Sequence, residues 1–359
     1  MNVSGLIYPV ILCGGGGTRL WPASKHVRPK PFLPLLGEET LFEAAQKRVV
    51  GDRRFAAPMI VAGATHRELI ASQACAVQRL VIEPVAKNTA PAIALAAALL
   101  QPEDVMLVCP SDHHISDDGA FREAAATAAN LAHQDWLVSF GIAATYPETG
   151  YGYIQRGEPL EGGFRIARFV EKPDLATAQA YVETGEYCWN GGIFAFRAGF
   201  LLDELARHRP QMHDLVRQAV ERGEEEGRGF RPDHESFAAI DGESIDYALM
   251  ENTDRAAMVR ADMGWSDIGN WAALSDALAA QPKFCDSDGN VVRGHADFDS
   301  CRRVLAMSDG PRISAVGLED VCVIVSDGEV LVTTREGAQR VGKLPGAVNQ
   351  QTPTRGPCR

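Results

Sequence analysis

The 359-residue sequence predicts an α/β fold: a mixed, mostly parallel sheet flanked by helices, followed by a small β domain. Three observations carry this. Val10–Leu12 and Val105–Cys109 are short, wholly apolar runs of strand length, as strands covered on both faces are. Runs of helix length, rich in Ala, stand between such strands up to about residue 285, where close helix packing suits small side chains. From Asp288 the texture changes to short runs (290–293, 303–307, 321–326 and 330–334) separated by Gly/Asp turns, with no long helix between them. The expected organisation is a large domain over 1–285, a small β domain over 286–345 and a loose tail over 346–359.

At 46% hydrophobic composition the chain can bury a sizeable core, and its net charge of -12 argues against nucleic acid and anionic membranes as partners. No N-terminal targeting segment is expected, because the first basic residue follows the apolar run. The Ala-rich run 90–100 is too short to span a bilayer. Eight cysteines lie scattered without a C-x-x-C pair, and Cys13, Cys109 and Cys322 sit in strand-like runs. They read as buried thiols in a reducing compartment, the cytoplasm.

The first strand runs into Gly14, Gly15, Gly16 and Gly17, then Thr18-Arg19-Leu20-Trp21-Pro22 and Pro29-Lys30-Pro31-Phe32. Glycines allow turns closed to other residues, and their N–H groups form a concave anion site of the kind that cradles phosphate. Arg19 adds a planar fork, Lys25, Arg28 and Lys30 follow, and no acid appears before Glu38. A segment this basic in an acidic chain reads as a site for an anionic ligand. Gly17 precedes Thr18-Arg19, so the Walker pattern fails, and Trp21-Pro22 and Pro29 break the helix that a dinucleotide fingerprint needs.

Helices are expected over 40–50, where Thr40 and Glu43 have capping-box spacing, and over 65–76, with strands at 59–62 and 79–83. Asn88 or Thr89 caps the next helix, with Pro91 in its first turn and Glu83 at the end of the strand before it. Asp112 follows the strand 105–109 and should face the same crevice as the glycine loop, where a hard carboxylate suits Mg²⁺. His113 and His114 have no further ligand at a zinc spacing. A helix at 121–133 and a strand at 136–142 lead to a tight turn over 148–154. A strand over 164–171, a helix over 175–183 and a strand ending at Phe196 come next, and 200–229 reads as one charged helix. A capped helix spans 244–251, in which Asp246 is either an acid near the site or a partner of the helix dipole. Asp267 stands before a helix starting near Asn270.

Gly14–Phe32 resembles the nucleotidyltransferases that make nucleotide sugars, and among them the mannose-1-phosphate guanylyltransferases, whose pattern is Gly-Gly-x-Gly-Thr-Arg-Leu-Trp-Pro-x-Ser-Arg…Pro-Lys-Gln-Phe. Lys25 and Pro31 depart from it. The family's Asn-Thr-Ala-Pro, Thr-Gly-Tyr-Gly-Tyr-Ile, Val-Glu-Lys-Pro, Ser-Ile-Asp-Tyr-Ala and Trp-Ser-Asp-x-Gly segments follow in order, with departures at Ala86, Lys87 and at Gly191, where a Ser is usual. The resemblance implies a Rossmann-like sheet and a β-helical, left-handed C-terminal domain. It also implies transfer of GMP from GTP to mannose 1-phosphate, giving GDP-mannose and pyrophosphate. Arg19 and Lys30 would be catalytic, and Asp112 and Asp267 would hold Mg²⁺. Leu12, Gly14, Gly15, Gly16, Gly17, Thr18, Glu83, Lys87, Asn88, Thr89 and Ser111 would contact the nucleotide. Gly150, Tyr151, Gly152, Glu171, Lys172, Asn190, Gly191 and Asp246 would contact the sugar phosphate, with Gly191 leaving space where a hydroxyl is usual. The alternatives are the same transfer with UTP or dTTP and glucose 1-phosphate, or a nucleotide-sugar-binding regulatory subunit without turnover. No nucleic acid or membrane partner is expected, and a homodimer stays open.

Overall fold

In the computed structural model, which describes residues 5–350, the chain forms two compact units. The first takes the chain up to Gly14, Ala45–Ser111 and Ile115–Trp265. The second takes Gly15–Ala44, Asp112–His114 and the chain from Ser266 onward. The expected loose tail lies, from 351 on, outside the described residues, and Pro345–Val348 is a short helix.

The first unit holds an eleven-stranded mixed sheet. Its centre is β1 (Ile7–Cys13), which pairs in parallel with β2 (Met59–Gly63) on one side and β4 (Val105–Pro110) on the other. Beyond β2 lies β3 (Arg79–Glu83), also parallel. On the far side of β4 the antiparallel strand Tyr187–Arg197 leads to Leu137–Ala143, Ala256–Arg260, Gly163–Val170 and Tyr153–Leu160. Because side chains alternate across the pleat, β4 feeds two cores: Met106 and Val108 enter one, Val105, Leu107 and Cys109 the other. The helix Thr89–Ala98 covers the first face with Ala90 to Ala97, and Asp118–Ala132 covers the second with Phe121, Ala125 and Leu131.

Two expectations change. The charged stretch 200–229 is not one helix but two, Ala198–His208 and Pro210–Glu221, followed by a hairpin of Glu224–Glu226 and Gly229–Arg231. Pro210 cannot continue the first helix and holds Arg209 off helical geometry, with ψ at 62°. Gly227, with φ at +62°, makes the hairpin turn. Trp189, Asn190 and Gly191 sit within a single strand, Tyr187–Arg197, which begins well before the one expected to end at Phe196.

In the second unit the strands Val291–Arg293, Leu305–Ser308 and Val321–Ser326 pair in parallel, and Glu329–Thr334 closes their sheet antiparallel. Ala296–Asp299 and Ile313–Val316 form a second parallel pair. Leu20, Leu33, Trp271, Leu305, Ile324, Ala338 and Val341 share one apolar core. Trp271 is fully buried and donates its indole N–H to the Trp21 carbonyl at 2.9 Å. Thr40 and Glu43 form the expected capping box. Cys13, Cys109 and Cys322 are buried thiols. No helix among the described residues is long and apolar enough to cross a membrane.

Candidate active site

Gly15, Gly16 and Gly17 of the glycine loop, Lys30, Asp112 and Asp267 gather in the second unit. Gly17 adopts φ +56°, and a Cβ there would lie 2.6 Å from both Lys30 Cβ and Ser24 Oγ, so only glycine fits. At Gly14 and Gly15, by contrast, the space a Cβ would take has no atom within 4 Å, leaving the backbone open to a ligand. Pro22 and Pro29 hold the following chain to short turns, and only 3₁₀ turns form, over Thr18–Leu20 and Lys30–Phe32.

Lys30 is 5% exposed. Its ammonium donates to Asp112 Oδ2 at 2.7 Å and to the Asp267 carbonyl at 2.5 Å, joining two aspartates from distant parts of the chain. Burial alone would raise the Asp112 carboxyl, but Lys30 and His113 beside it hold it below its ordinary value, so it stays ionised. Asp267 sits in a turn that requires Gly269, where a Cβ would lie 2.6 Å from Asp267 Oδ2. The Gly269 N–H donates to Asp267 Oδ1 at 2.9 Å. Asn270 then caps the helix Trp271–Ala279. Two hard carboxylates fit a divalent cation, and no group of three or more metal-ligating side chains exists among the described residues. The donor set therefore suits a cation completed by substrate phosphate and water, not a closed protein cage. Lys25 is drawn away from the loop by Asp327 and Glu329, at 3.1 and 3.0 Å, and so serves as a structural tie.

The residues assigned to base and sugar lie in the first unit. Glu83 ends β3 with Oε1 buried and unpartnered among the described residues, and burial pushes its carboxyl up to about 7. Ser111, whose N–H donates to the Leu12 carbonyl, also has a buried, unpartnered hydroxyl. Asn88, at φ +69°, accepts from Thr89 N and caps the helix. The Thr89 hydroxyl accepts from Ile245 N at 2.9 Å, and the Lys87 ammonium donates to the Ala238 carbonyl at 2.6 Å. Both groups thus brace the loop leading to Asp246.

Around Asp246 the sugar residues converge. Asn190 donates to Asp246 Oδ1 at 2.9 Å and is fixed from behind by the Ser139 hydroxyl at 2.8 Å. Glu171 pairs with Lys172 at 2.5 Å, and its other oxygen lies 2.5 Å from where a Cβ on Gly152 would be. Burial and the Glu171 carboxylate push Asp246 up to about 6. Asp246 begins a π-type turn, Asp246–Met250, in place of the expected α-helix, and such turns are frequent at functional sites. Glu148 holds Gly150 N, and Tyr151 packs edge-on to Trp189 and Trp265. Gly191 corrects an expectation: it opens no space, since a Cβ there would lie 3.1 Å from the Phe140 carbonyl and 3.2 Å from Ile142. Period-2 alternation puts it on the sheet face opposite Asn190, where Phe140 and Ile142 crowd it. Sequence reasoning also missed Ser139 and Tyr146, which no motif marks, and gave Trp265, although it opens the Trp-Ser-Asp-x-Gly segment, no part beside Tyr151.

The nucleotidyl transferase family pattern matches residues 8–283. The xanthan biosynthesis protein XanB of Xanthomonas campestris is 43% identical over 346 residues, covering 94% of this chain and 72% of that protein. The mannose-1-phosphate guanylyltransferase of Escherichia coli is 40% identical over 352 residues, with the same two shares. A solved structure from Thermus thermophilus, named a mannose-1-phosphate geranyltransferase, superposes with a TM-score of 0.84 at 32% identity, covering 94% of this chain and 97% of that one. This chain belongs to the nucleotidyl transferase family.

Proposed function

We propose that the protein transfers GMP from GTP to α-D-mannose 1-phosphate, giving GDP-mannose and pyrophosphate. A phosphate oxygen of the sugar attacks the α-phosphorus in line, the bond from that phosphorus to the α–β bridging oxygen breaks, and pyrophosphate leaves with the electron pair. The nucleophile is already an anion, so no general base is required, and the chain's work is positioning and charge neutralisation. Within the second unit, the open Gly15 N–H and Arg19 would hold the leaving pyrophosphate, and Lys30 the α-phosphate. Asp112 and Asp267 would hold Mg²⁺, which supplies further neutralisation of phosphate charge when bound. Within the first unit, Glu83 and the Lys87–Thr89 turn would meet the base and ribose. Glu171, Lys172, Asn190 and Asp246 would meet the sugar phosphate.

The observation that carries this reading is the buried Lys30, which joins Asp112 to Asp267 beside the Gly17 turn. The guanine and mannose choice rests on the likeness to the E. coli enzyme and on the motif order. A cytoplasmic location belongs to the same reading. The test is pyrophosphate release from each nucleoside triphosphate against each sugar 1-phosphate. GTP with mannose 1-phosphate should exceed UTP or dTTP with glucose 1-phosphate by about a hundredfold or more in kcat/KM, the separation that two well-placed polar contacts produce. A better rate with another pair overturns the assignment.

A further inference from the structure

We propose that Gln339 is the positioning residue for Arg19, and that its neutrality is what leaves the arginine available to phosphate. This rests on the reading above, in which Arg19 meets the leaving pyrophosphate. The Arg19 guanidinium donates Nη1–H to Gln339 Oε1 at 2.9 Å. Gln339 belongs to the 3₁₀ segment Glu336–Lys343, far outside every motif read from the sequence. The segment is seated by its own apolar residues, since Ala338 and Val341 are buried with Leu20 and Trp271. Its backbone closes directly on the arginine stem: a Cβ on Gly342 would lie 3.1 Å from both Arg19 Cγ and Thr18 Oγ1. The next turn continues this bed, since a Cβ on Gly346 would lie 2.8 Å from the Trp21 ring. The backbone that carries Gln339 is thus seated from beneath, and its exposed amide holds the arginine head.

The contrast with Lys25 shows why an amide matters. The same C-terminal region supplies two carboxylates, Asp327 and Glu329, to Lys25, and that charge is neutralised within the protein. Among the described residues Arg19 receives one neutral acceptor on one of its five N–H groups, which leaves its charge and the rest of its fork to a ligand. A carboxylate at position 339 would form a charge-assisted pair, roughly twice as strong as the neutral bond, and would compete with pyrophosphate for the fork. The C-terminal β region therefore sorts the cations of the glycine loop, tying one down and holding one ready.

The experiment compares Gln339→Glu and Gln339→Ala, each in the wild-type and Arg19→Ala backgrounds. It measures kcat and KM with GTP and mannose 1-phosphate, and calorimetric binding of inorganic pyrophosphate. Gln339→Glu, nearly isosteric, should lower kcat and pyrophosphate affinity about tenfold with an unchanged melting temperature, and Gln339→Ala about threefold. In the Arg19→Ala background neither change should cost anything more. Wild-type kcat and pyrophosphate affinity in Gln339→Glu, or a loss that persists without Arg19, overturns the inference while leaving the Arg19 assignment standing. An Arg19→Ala protein with wild-type turnover overturns both.

Discussion

At the scale of single residues, Asp112 and Asp267 differ in a way their shared assignment hides. Asp112 meets Lys30 through its carboxylate, whereas the Lys30 ammonium meets Asp267 at its backbone carbonyl. Asp267→Asn keeps that bond, so turnover should fall about a hundredfold or more with the melting temperature preserved. Asp112→Asn leaves a buried ammonium short of its counter-charge and should lose stability as well, by about 3 kcal/mol or more. Turnover as a function of Mg²⁺ and thermal unfolding on both variants check this, and wild-type rates in Asp267→Asn at low Mg²⁺ would remove it from the metal. Asp246 gives a pH dependence. Its folded-state pKa is raised from 3.8 to about 6, so folding takes up a proton between these values. Stability from this group is full at low pH, declines as pH rises through that window and stays low above it, by on the order of 2–3 kcal/mol. Asp246→Asn should therefore gain stability over wild type at pH 8 and not at pH 4, while weakening mannose 1-phosphate binding. Denaturant melts of both proteins at the two pH values measure the difference. An equal difference at both would mean that burial does not burden this carboxylate.

At the scale of elements, the glycine loop works because one glycine is closed and two are open. Gly17 turns against Lys30 and Ser24, while Gly14 and Gly15 present bare backbone. Gly17→Ala should cost about 1–3 kcal/mol through its positive φ and the clash with Lys30, and should lower kcat by displacing that lysine. Gly15→Ala, at φ +87° but with no neighbour to strike, should cost less stability and act mainly on GTP binding. Parallel measurements of unfolding free energy and GTP KM separate the two, and identical profiles would contradict the division of roles. The strand Tyr187–Arg197 shows the same dependence on packing. Period-2 alternation sends Asn190 toward Asp246 and Gly191 toward Phe140 and Ile142, so Gly191→Ser should add crowding and no sugar contact.

At the scale of the molecule, Gly15 to Ala44 is part of the same compact unit as the C-terminal strands. Leu20, Leu33 and Trp271 pack with Val291, Leu305, Cys322 and Ile324. A chain cut after 285 keeps every motif read from the sequence yet strips that core of half its partners. It should bind a hydrophobic dye, melt far below the full chain and lose turnover. A 1–285 chain that melts cooperatively near the full-length temperature with intact activity would show the C-terminal region to be an appendage.

The sequence by itself determined the α/β class, the strands β1 to β4, the helix caps at Thr40 and Asn88, and the buried cysteines of the strands. These follow from hydrophobic runs and local hydrogen bonds, which act over a few residues. It also marked Lys30, Asp112 and Asp267, because glycines, cations and acids at strand ends carry their chemistry in their types. Only the tertiary structure decided that Lys30 joins the two aspartates, that Lys25 is spent on Asp327 and Glu329, and that Gln339 meets Arg19. It decided likewise that Pro210 splits a charged helix and that Phe140 and Ile142 crowd Gly191. Each of these depends on which distant segment supplies the partner, and that choice is made by shared burial across the fold, which no local pattern records.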